Sequence, residues 1–275
     1  MCDLEGCGNQ VDMPEIKIDS EQRRLFIKGL ACLPLASVLA FPELAKAAAD
    51  TLQDVSITLK DGTKVNAALA LPKAEKAPTV VLIHEWWGLN DQIKAVAAEL
   101  ANMGYVALAV DLYAGKSATD AAGAKALMGA VDAGKATETM VAWVDYLKNH
   151  ERSTGKVATM GWCFGGGWSL NTSIATPVDA TIIYYGRVTP PADELKNLKG
   201  PVIGHFGEKD KHINTEMVAG FEAEMEKAGK KDDLTVYWYD ADHAFANPTG
   251  SRYDEANAAL AWERTSAFLK STIAS

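Results

Sequence analysis

The chain carries the sequence KVATMGWCFGGG at residues 156–167, and this stretch has the pattern of a strand that turns sharply into a helix. Its first five residues are mostly apolar or β-branched and predict a buried strand, and the glycines that follow predict a sharp turn into a helix. Cys163 lies at the turn, with Gly161 and Gly165 on either side. Glycines are needed there because side chains would collide with the neighbouring strand and helix. The stretch predicts a nucleophile elbow with sulfur in place of oxygen; the alternative is a glycine-rich turn holding an inert buried cysteine.

Predicted strands and helices alternate on both sides of this elbow. A β-hairpin is predicted first, from residues 55–60 and 65–71 about Asp61-Gly62. Short apolar runs predict buried strands at residues 79–84, 105–110, 157–160, 180–185, 202–206 and 234–239. Helices are predicted at residues 91–103, 119–133, 137–149, 165–173, 215–229 and 254–270. The alternation predicts an α/β fold of the α/β-hydrolase type, with a mostly parallel central sheet, helices on both faces and an N-terminal β-hairpin.

Composition supports a globular enzyme and argues against one class of partner. Hydrophobic residues make up 48% of the 275 residues, which is enough for a sizeable core. The formal net charge is −9, with no basic stripe to offset it. A nucleic-acid backbone would therefore be repelled, and we expect no nucleic-acid partner. Size and charge leave open a monomer or a small homo-oligomer.

The N-terminal region has the pattern of an export signal. The basic segment RRLFIK at residues 23–28 is followed by an apolar run to Phe41 and then by AKA at residues 45–47, with the small residues Ala45 and Ala47. This order is typical of a twin-arginine signal peptide. We predict that residues 1–47 are an export signal region read by the twin-arginine machinery and removed after Ala47. A single catalytic domain at residues 48–275 would then work in the periplasm or otherwise outside the cytoplasm.

Two other interpretations of the same segment stay open. It could be an amphipathic N-terminal helix packed on the domain, or an uncleaved membrane anchor. Pro34 and Pro42 weigh against a well-formed helix there.

The export prediction changes the meaning of the cysteines. Cys2, Cys7 and Cys32 precede the predicted cleavage site, so Cys163 would be the only thiol of the mature chain. No intramolecular disulfide could then form. A lone thiol kept in an oxidising compartment suggests that the protein uses it.

Three further residues at strand ends could act with Cys163. Functional groups on a parallel sheet lie beyond the carboxyl ends of its strands, and Glu85, Asp210 and His243 each follow a predicted strand. The order Cys163, Asp210, His243 matches the nucleophile, acid and base of α/β-hydrolases. His243 would be the base and Asp210 the acid that orients it. Taken singly, a surface histidine and a turn carboxylate are the plainer interpretations.

Acyl transfer also needs donors for the oxyanion. The backbone N–H of Phe164 follows the nucleophile at a helix N-terminus, where positive charge is concentrated. A second donor should come from the loop after the strand at residues 79–84, and Trp86 is the candidate.

Several ordered motifs resemble the dienelactone hydrolase family. They are GWCFGG at residues 161–166, DLYA at 111–114, YYG at 184–186, the turn at 207–210, and WY at 238–239 leading into HAF at 243–245. The resemblance runs from about Val55 to the C-terminus. It implies Cys163 as nucleophile, His243 as base, Asp210 as acid, and Glu85 as the carboxylate that helps to generate the thiolate. It also implies hydrolysis of an enol lactone through an acyl-enzyme, with no metal or organic cofactor.

Two positions depart from the family pattern. The family's best-known members carry arginines that hold the substrate carboxylate where this chain has Gly115 and Asn247. Losing two guanidinium groups removes bidentate carboxylate binding, for which Lys116 is a poor substitute. We therefore expect a less acidic small-molecule ester or lactone as substrate.

The expected substrate pocket combines five positions. It is built from Trp87, Tyr113, Lys116, Tyr185 and Asn247. Trp86 and Trp87 would form an aromatic wall, or else serve as core or oligomer contacts. Two other functions stay open: small-molecule binding without turnover, and metal capture by Cys163, His243 and a carboxylate.

Overall fold

An eight-stranded sheet runs through the protein. The computed structural model describes residues 17–28, 33 and 35–274. The strands are β1 (Gln53–Thr58), β2 (Lys64–Ala70), β3 (Ala77–Ile83), β4 (Val106–Val110), β5 (Ser153–Trp162), β6 (Ala180–Tyr184), β7 (Val202–Gly207) and β8 (Leu234–Tyr239). Their order is β1-β2-β4-β3-β5-β6-β7-β8. The pairs from β4 to β8 are parallel, whereas β1 with β2 and β2 with β4 are antiparallel. The predicted mostly parallel sheet and N-terminal hairpin are confirmed.

Ten α-helices surround this sheet in the described part of the chain, and a short 3-10 helix at Lys231–Asp233 precedes β8. They are α1 (Ser20–Ile27), α2 (Leu35–Ala40), α3 (Pro42–Ala49), α4 (Asp91–Asn102), α5 (Ala121–Gly129), α6 (Ala133–Asn149), α7 (Phe164–Ala175), α8 (Ala192–Leu195), α9 (Thr215–Lys227) and α10 (Glu255–Thr272). Two predictions were wrong in detail. The helix predicted at 119–133 ends at Gly129, and α6 begins at Ala133 because the Asp132 side chain accepts the Lys135 N–H and caps it. The short α8 was not predicted.

Alternation along the buried strands divides the core into two layers. On β3, Val80 and Leu82 join the cluster under α4 and α10, while Val81 and Ile83 join the cluster under α6. Successive side chains of a strand point to opposite faces, so a strand covered on both sides is apolar throughout. Helices therefore cover both faces of the sheet, as predicted.

The N-terminal helices pack on the domain. Leu44 and Ala45 of α3 are fully buried in the core cluster that includes α4, and the Gln92 side chain donates a hydrogen bond to the Leu39 carbonyl of α2. Pro42 occupies the first turn of α3, where a proline is tolerated because its missing N–H has no intrahelical partner. Thus this proline begins a helix instead of preventing one.

The described residues include part of the predicted export signal. None of their helices is long and apolar enough to cross a membrane. Pro34 and the three N-terminal cysteines lie outside the described residues. Ala47 lies within α3, and cleavage after it stays a prediction.

The strand order of the sheet reverses at β3. This strand pairs with β4 on one side and with β5 on the other. Loops that leave the carboxyl ends of β3 and β5 therefore open a crevice between them, which is where α/β sheets bind ligands. Glu85 follows β3 and Cys163 follows β5, so the topology brings them to the same crevice.

Candidate active site

Cys163 occupies a strained turn between β5 and α7. Its backbone has φ +53° and ψ −114°, a conformation that L residues rarely adopt. A Cβ at Gly161 would lie 2.1 Å from the Gly165 carbonyl oxygen, and a Cβ at Gly165 would lie 2.2 Å from the Ile83 carbonyl oxygen. Only glycine fits at either position. The elbow thereby holds the thiol at the N-terminus of α7, where the helix dipole favours a thiolate.

His243 and Asp210 complete a chain of hydrogen-bonding contacts with the thiol. The Cys163 Sγ lies 3.2 Å from the His243 Nε2, and the His243 Nδ1 lies 2.6 Å from the Asp210 Oδ2. All three residues are buried. His243 follows β8 and Asp210 follows β7, so the three come from separate strand ends. The geometry is that of a nucleophile, a base and an orienting acid.

The Asp210 carboxylate is held at both of its oxygens. Oδ1 accepts the backbone N–H groups of His212 and Ile213 at 2.8 and 2.9 Å, which leaves Oδ2 for His243. Burial alone would raise the pKa of Asp210, but the hydrogen bonds and charge of His243 and the two backbone donors outweigh it and lower the pKa below its ordinary value. Asp210 is therefore ionised at neutral pH and can accept a hydrogen from the His243 Nδ1.

Glu85 is the second buried carboxylate of the site. Its Oε2 accepts the Asn247 side-chain amide at 2.7 Å, and its Oε1 accepts the Tyr185 hydroxyl at 3.4 Å. Tyr185 also packs edge-on against the His243 ring, with centroids 5.2 Å apart. Two residues expected in the pocket, Tyr185 and Asn247, thus hold Glu85 beside the triad.

His84 is a site residue that sequence reasoning missed. It is fully buried; the Leu112 N–H donates to its Nε2 at 3.2 Å, so its Nδ1 carries the hydrogen and donates to the Glu85 carbonyl at 2.6 Å. Burial lowers the pKa of His84 to about 4, which keeps the ring neutral. The missed signal was its place at the end of β3, directly before Glu85.

The Glu85–Trp86 peptide is oriented by these contacts. The Gly88 N–H also donates to the Glu85 carbonyl, at 3.2 Å. In a trans peptide the N–H points opposite to the preceding C=O, so fixing that carbonyl fixes the direction of the Trp86 N–H. This donor and the Phe164 N–H at the start of α7 come from the two loops of the crevice, as an oxyanion hole requires.

The remaining pocket positions divide into buried and exposed. The Trp86 side chain is 1% exposed and belongs to the core, which is the core interpretation left open above. Trp87 is half-buried and packs edge-on against it. Tyr113 is buried against the rings of His84 and Phe164. Trp87 and Tyr113 thus adjoin the loop after β3 and the elbow, and neither belongs to the described lining of the cavity beside Glu85.

Lys116 and Gly115 lie on an exposed loop. The Gly115 backbone has φ +82° and donates its N–H to the Asp111 carboxylate. An arginine there would meet open space but an unfavourable backbone conformation. Lys116 is exposed and is absent from the lining of the cavity beside Glu85.

The described residues contain no cluster of side chains that would hold a metal ion. No group of three or more His, Cys, Asp or Glu side chains there is arranged to hold an ion. His243 has both ring nitrogens committed, to Cys163 and to Asp210.

Comparison with known proteins places this chain in a family. The family model described as the Dienelactone hydrolase family matches residues 65–273. The chain is 34% identical to Protein usf of Aquifex pyrophilus over 223 residues, covering 77% of this chain and 95% of that protein. It is 28% identical to the carboxymethylenebutenolidase of Pseudomonas putida over 228 residues, covering 79% and 95%.

A solved structure agrees in fold. A dienelactone hydrolase-like promiscuous phosphotriesterase from metagenomic libraries superposes with a TM-score of 0.73 at 24% identity, covering 81% of this chain and 99% of that one. The chain therefore belongs to the dienelactone hydrolase family and is a hydrolase of the carboxylic ester or lactone type.

Proposed function

We propose that the protein hydrolyses its ester or lactone by nucleophilic catalysis at Cys163, through a thioester acyl-enzyme. The observation that carries this proposal is the contact of the Cys163 Sγ with the His243 Nε2 at 3.2 Å, with Asp210 behind His243 at 2.6 Å. A thiol of ordinary pKa near ~8.5 is only a few per cent ionised at neutral pH, so it needs such a base.

The reaction then runs in two halves. His243 takes the thiol proton, and Sγ attacks the carbonyl carbon while the Phe164 and Trp86 N–H groups stabilise the oxyanion. The C–O bond breaks, and His243 gives its proton to the leaving oxygen. Water, deprotonated by His243, next attacks the thioester and releases the acid, and Cys163 recovers its proton from His243. By family resemblance Glu85 assists formation of the thiolate; its contacts with Asn247 and Tyr185 support a fixed position for that role.

The test uses the full chain with a short ester. Because the chain has four cysteines, the reference protein should carry Cys2→Ala, Cys7→Ala and Cys32→Ala, so that a thiol reagent reports on Cys163 alone. We expect steady hydrolysis of p-nitrophenyl acetate that falls at least about a thousandfold on Cys163→Ala. Iodoacetamide should abolish it in the reference protein.

Two outcomes would contradict the mechanism. Hydrolysis that survives both treatments would require another nucleophile. One acetyl group trapped on Cys163, seen by mass spectrometry without further turnover, would favour a binding protein over an enzyme of this mechanism.

We further propose that the chain is a precursor exported by the twin-arginine machinery and works in the periplasm or otherwise outside the cytoplasm, as a monomer or small homo-oligomer. The support is the Arg23-Arg24 pair ahead of an apolar run and the small residues Ala45 and Ala47. In the full chain α2 and α3 pack on α4, so their removal would expose part of that face of α4.

A further inference from the structure

An apolar cavity adjoins the proposed catalytic residues. It has a volume of about 290 Å³, close to the ~300 Å³ lower limit of small-molecule pockets. Its walls come from α2, α4 and α10, and from Trp162 at the end of β5. Leu39, Val96, Ala258 and Trp262 are representative of the lining, which is predominantly apolar. Such a surface favours a hydrocarbon group over water.

The inner end of this cavity reaches the nucleophile's surroundings. Trp162 directly precedes Cys163, and Glu85 and Tyr185 also line the cavity. In the proposed reaction the leaving oxygen must lie at the His243 Nε2, which protonates it. The acyl carbon instead bonds to the Cys163 Sγ. Neither Cys163 nor His243 is in the described lining, and the cavity adjoins the nucleophile through Trp162, which directly precedes Cys163; this neighbour favours the acyl side.

The charges around the cavity select against anions. Its described lining contains two carboxylate side chains, Glu85 and Glu263, and neither lysine, arginine nor histidine. Asn247, at the position where the family's best-known members carry arginine, lines the cavity and donates to Glu85. A substrate carboxylate placed here would face negative charge with no cation to pair with it, at a cost in desolvation.

Resting on the proposed ester hydrolysis, we propose that this cavity binds the apolar acyl group of a neutral ester or lactone and sets the preferred acyl length. In the full chain α2 forms the outer wall and encloses the acyl group against α10; in the proposed mature chain, which lacks α2, the helices α4 and α10 remain as the walls of an open groove. Acyl groups with a terminal carboxylate are excluded by Glu85 and Glu263.

The test measures kcat/KM of the full chain for p-nitrophenyl acetate, butyrate and hexanoate. We expect kcat/KM to rise by up to about fourfold for each added methylene. The filling variant is Ala258→Phe, on the half-buried side of α10; its matched control is Ala256→Phe, which is exposed on the same helix and outside the cavity. We expect Ala258→Phe to lower the hexanoate-to-acetate ratio of kcat/KM at least about tenfold, and Ala256→Phe to leave this ratio unchanged.

A charged ester tests the second half of the proposal. We expect the neutral butyrate ester to exceed the succinate monoester of similar length by at least about tenfold in kcat/KM.

If Ala258→Phe fails to fold, Ala259→Phe fills the same cavity from the exposed side.

The outcomes separate this proposal from the mechanism. Acetate turnover that depends on Cys163 but shows no preference for longer acyl groups, or a ratio unchanged by filling, overturns the cavity assignment and leaves the mechanism standing. Equal turnover of butyrate and succinate esters overturns the exclusion of anions. No turnover of any ester overturns both proposals.

Discussion

Replacing Asp210 with asparagine should disable His243 as a base while leaving the site's shape intact. The Asp210 Oδ1 accepts two backbone N–H groups, from His212 and Ile213. An asparagine would keep its oxygen on those donors, because burying them unpaired is costly. Its NH₂ group would then face the His243 Nδ1, 2.6 Å from the former Oδ2. A donor at that position requires an unprotonated Nδ1, so the ring hydrogen moves to Nε2, which faces the thiol.

The size of the effect follows from what is lost. With hydrogen on Nε2, His243 cannot accept the Cys163 proton across their 3.2 Å contact. General acid–base catalysis contributes roughly 10²–10⁴ in rate, which corresponds to about 2.7–5.5 kcal/mol of transition-state stabilisation. We expect kcat/KM for p-nitrophenyl acetate to fall by this factor in Asp210→Asn. Removal of the buried charge also withdraws support from the imidazolium that forms during the reaction.

The assay combines turnover with alkylation. The rate of iodoacetamide reaction against pH reports the thiolate fraction of Cys163, and Asp210→Asn should shift that profile to higher pH. The matched control is Asp242→Asn, because Asp242 accepts the His243 backbone N–H at 2.6 Å and an asparagine oxygen can do the same. Turnover of Asp210→Asn within about twofold of the parent, or a control that loses as much, would refute this reasoning.

Three further changes have definite expected outcomes. Burial, with the nearby charge of Arg264, lowers the pKa of His205 to about 3, so below about pH 6.5 the unfolded chain binds a proton that the folded chain does not. The free energy of unfolding of the parent, measured with denaturant, should therefore fall relative to that of His205→Gln as the pH is lowered from about 6.5 to about 4. The expected slope is up to about 1.4 kcal/mol per pH unit. Gly161→Ala should lower the free energy of unfolding by about 3 kcal/mol, because its Cβ would overlap the Gly165 carbonyl. Gly220→Ala, inside α9 with open space around its Cβ, should raise it by up to about 1 kcal/mol. A similar loss for both would contradict the elbow argument. The double variant Arg23→Lys, Arg24→Lys should leave no shortened chain outside the cytoplasm of a bacterial host, while ester turnover in the cell lysate persists. Intact-mass spectrometry of the lysate and of the exported fraction checks this. Unchanged export would contradict the twin-arginine interpretation.

Local patterns were sufficient for the fold and for the order of the candidate residues. Apolar runs predicted the six parallel strands, because a buried parallel strand must be apolar on both faces, and alternation about Asp61-Gly62 predicted the antiparallel hairpin of β1 and β2. The glycines beside Cys163 predicted the elbow, since a Cβ at Gly161 or Gly165 would lie only 2.1 or 2.2 Å from a backbone carbonyl oxygen. The positions of Asp210 and His243 after successive strands predicted a common edge, because parallel strands end on the same side of a sheet.

Other features depended on side chains that are far apart in the chain. The pairing of Asn247 with Glu85, the buried His84 that orients the Glu85–Trp86 peptide, and the burial of Trp86 in the core arise only when strands and loops meet. The apolar cavity likewise exists only where α2, α4 and α10 converge. Sequence fixes which groups are available and on which strand end they lie, because periodicity and turn chemistry are local. Tertiary structure alone decides which of these groups touch, because that depends on packing between segments that have no local relation to each other.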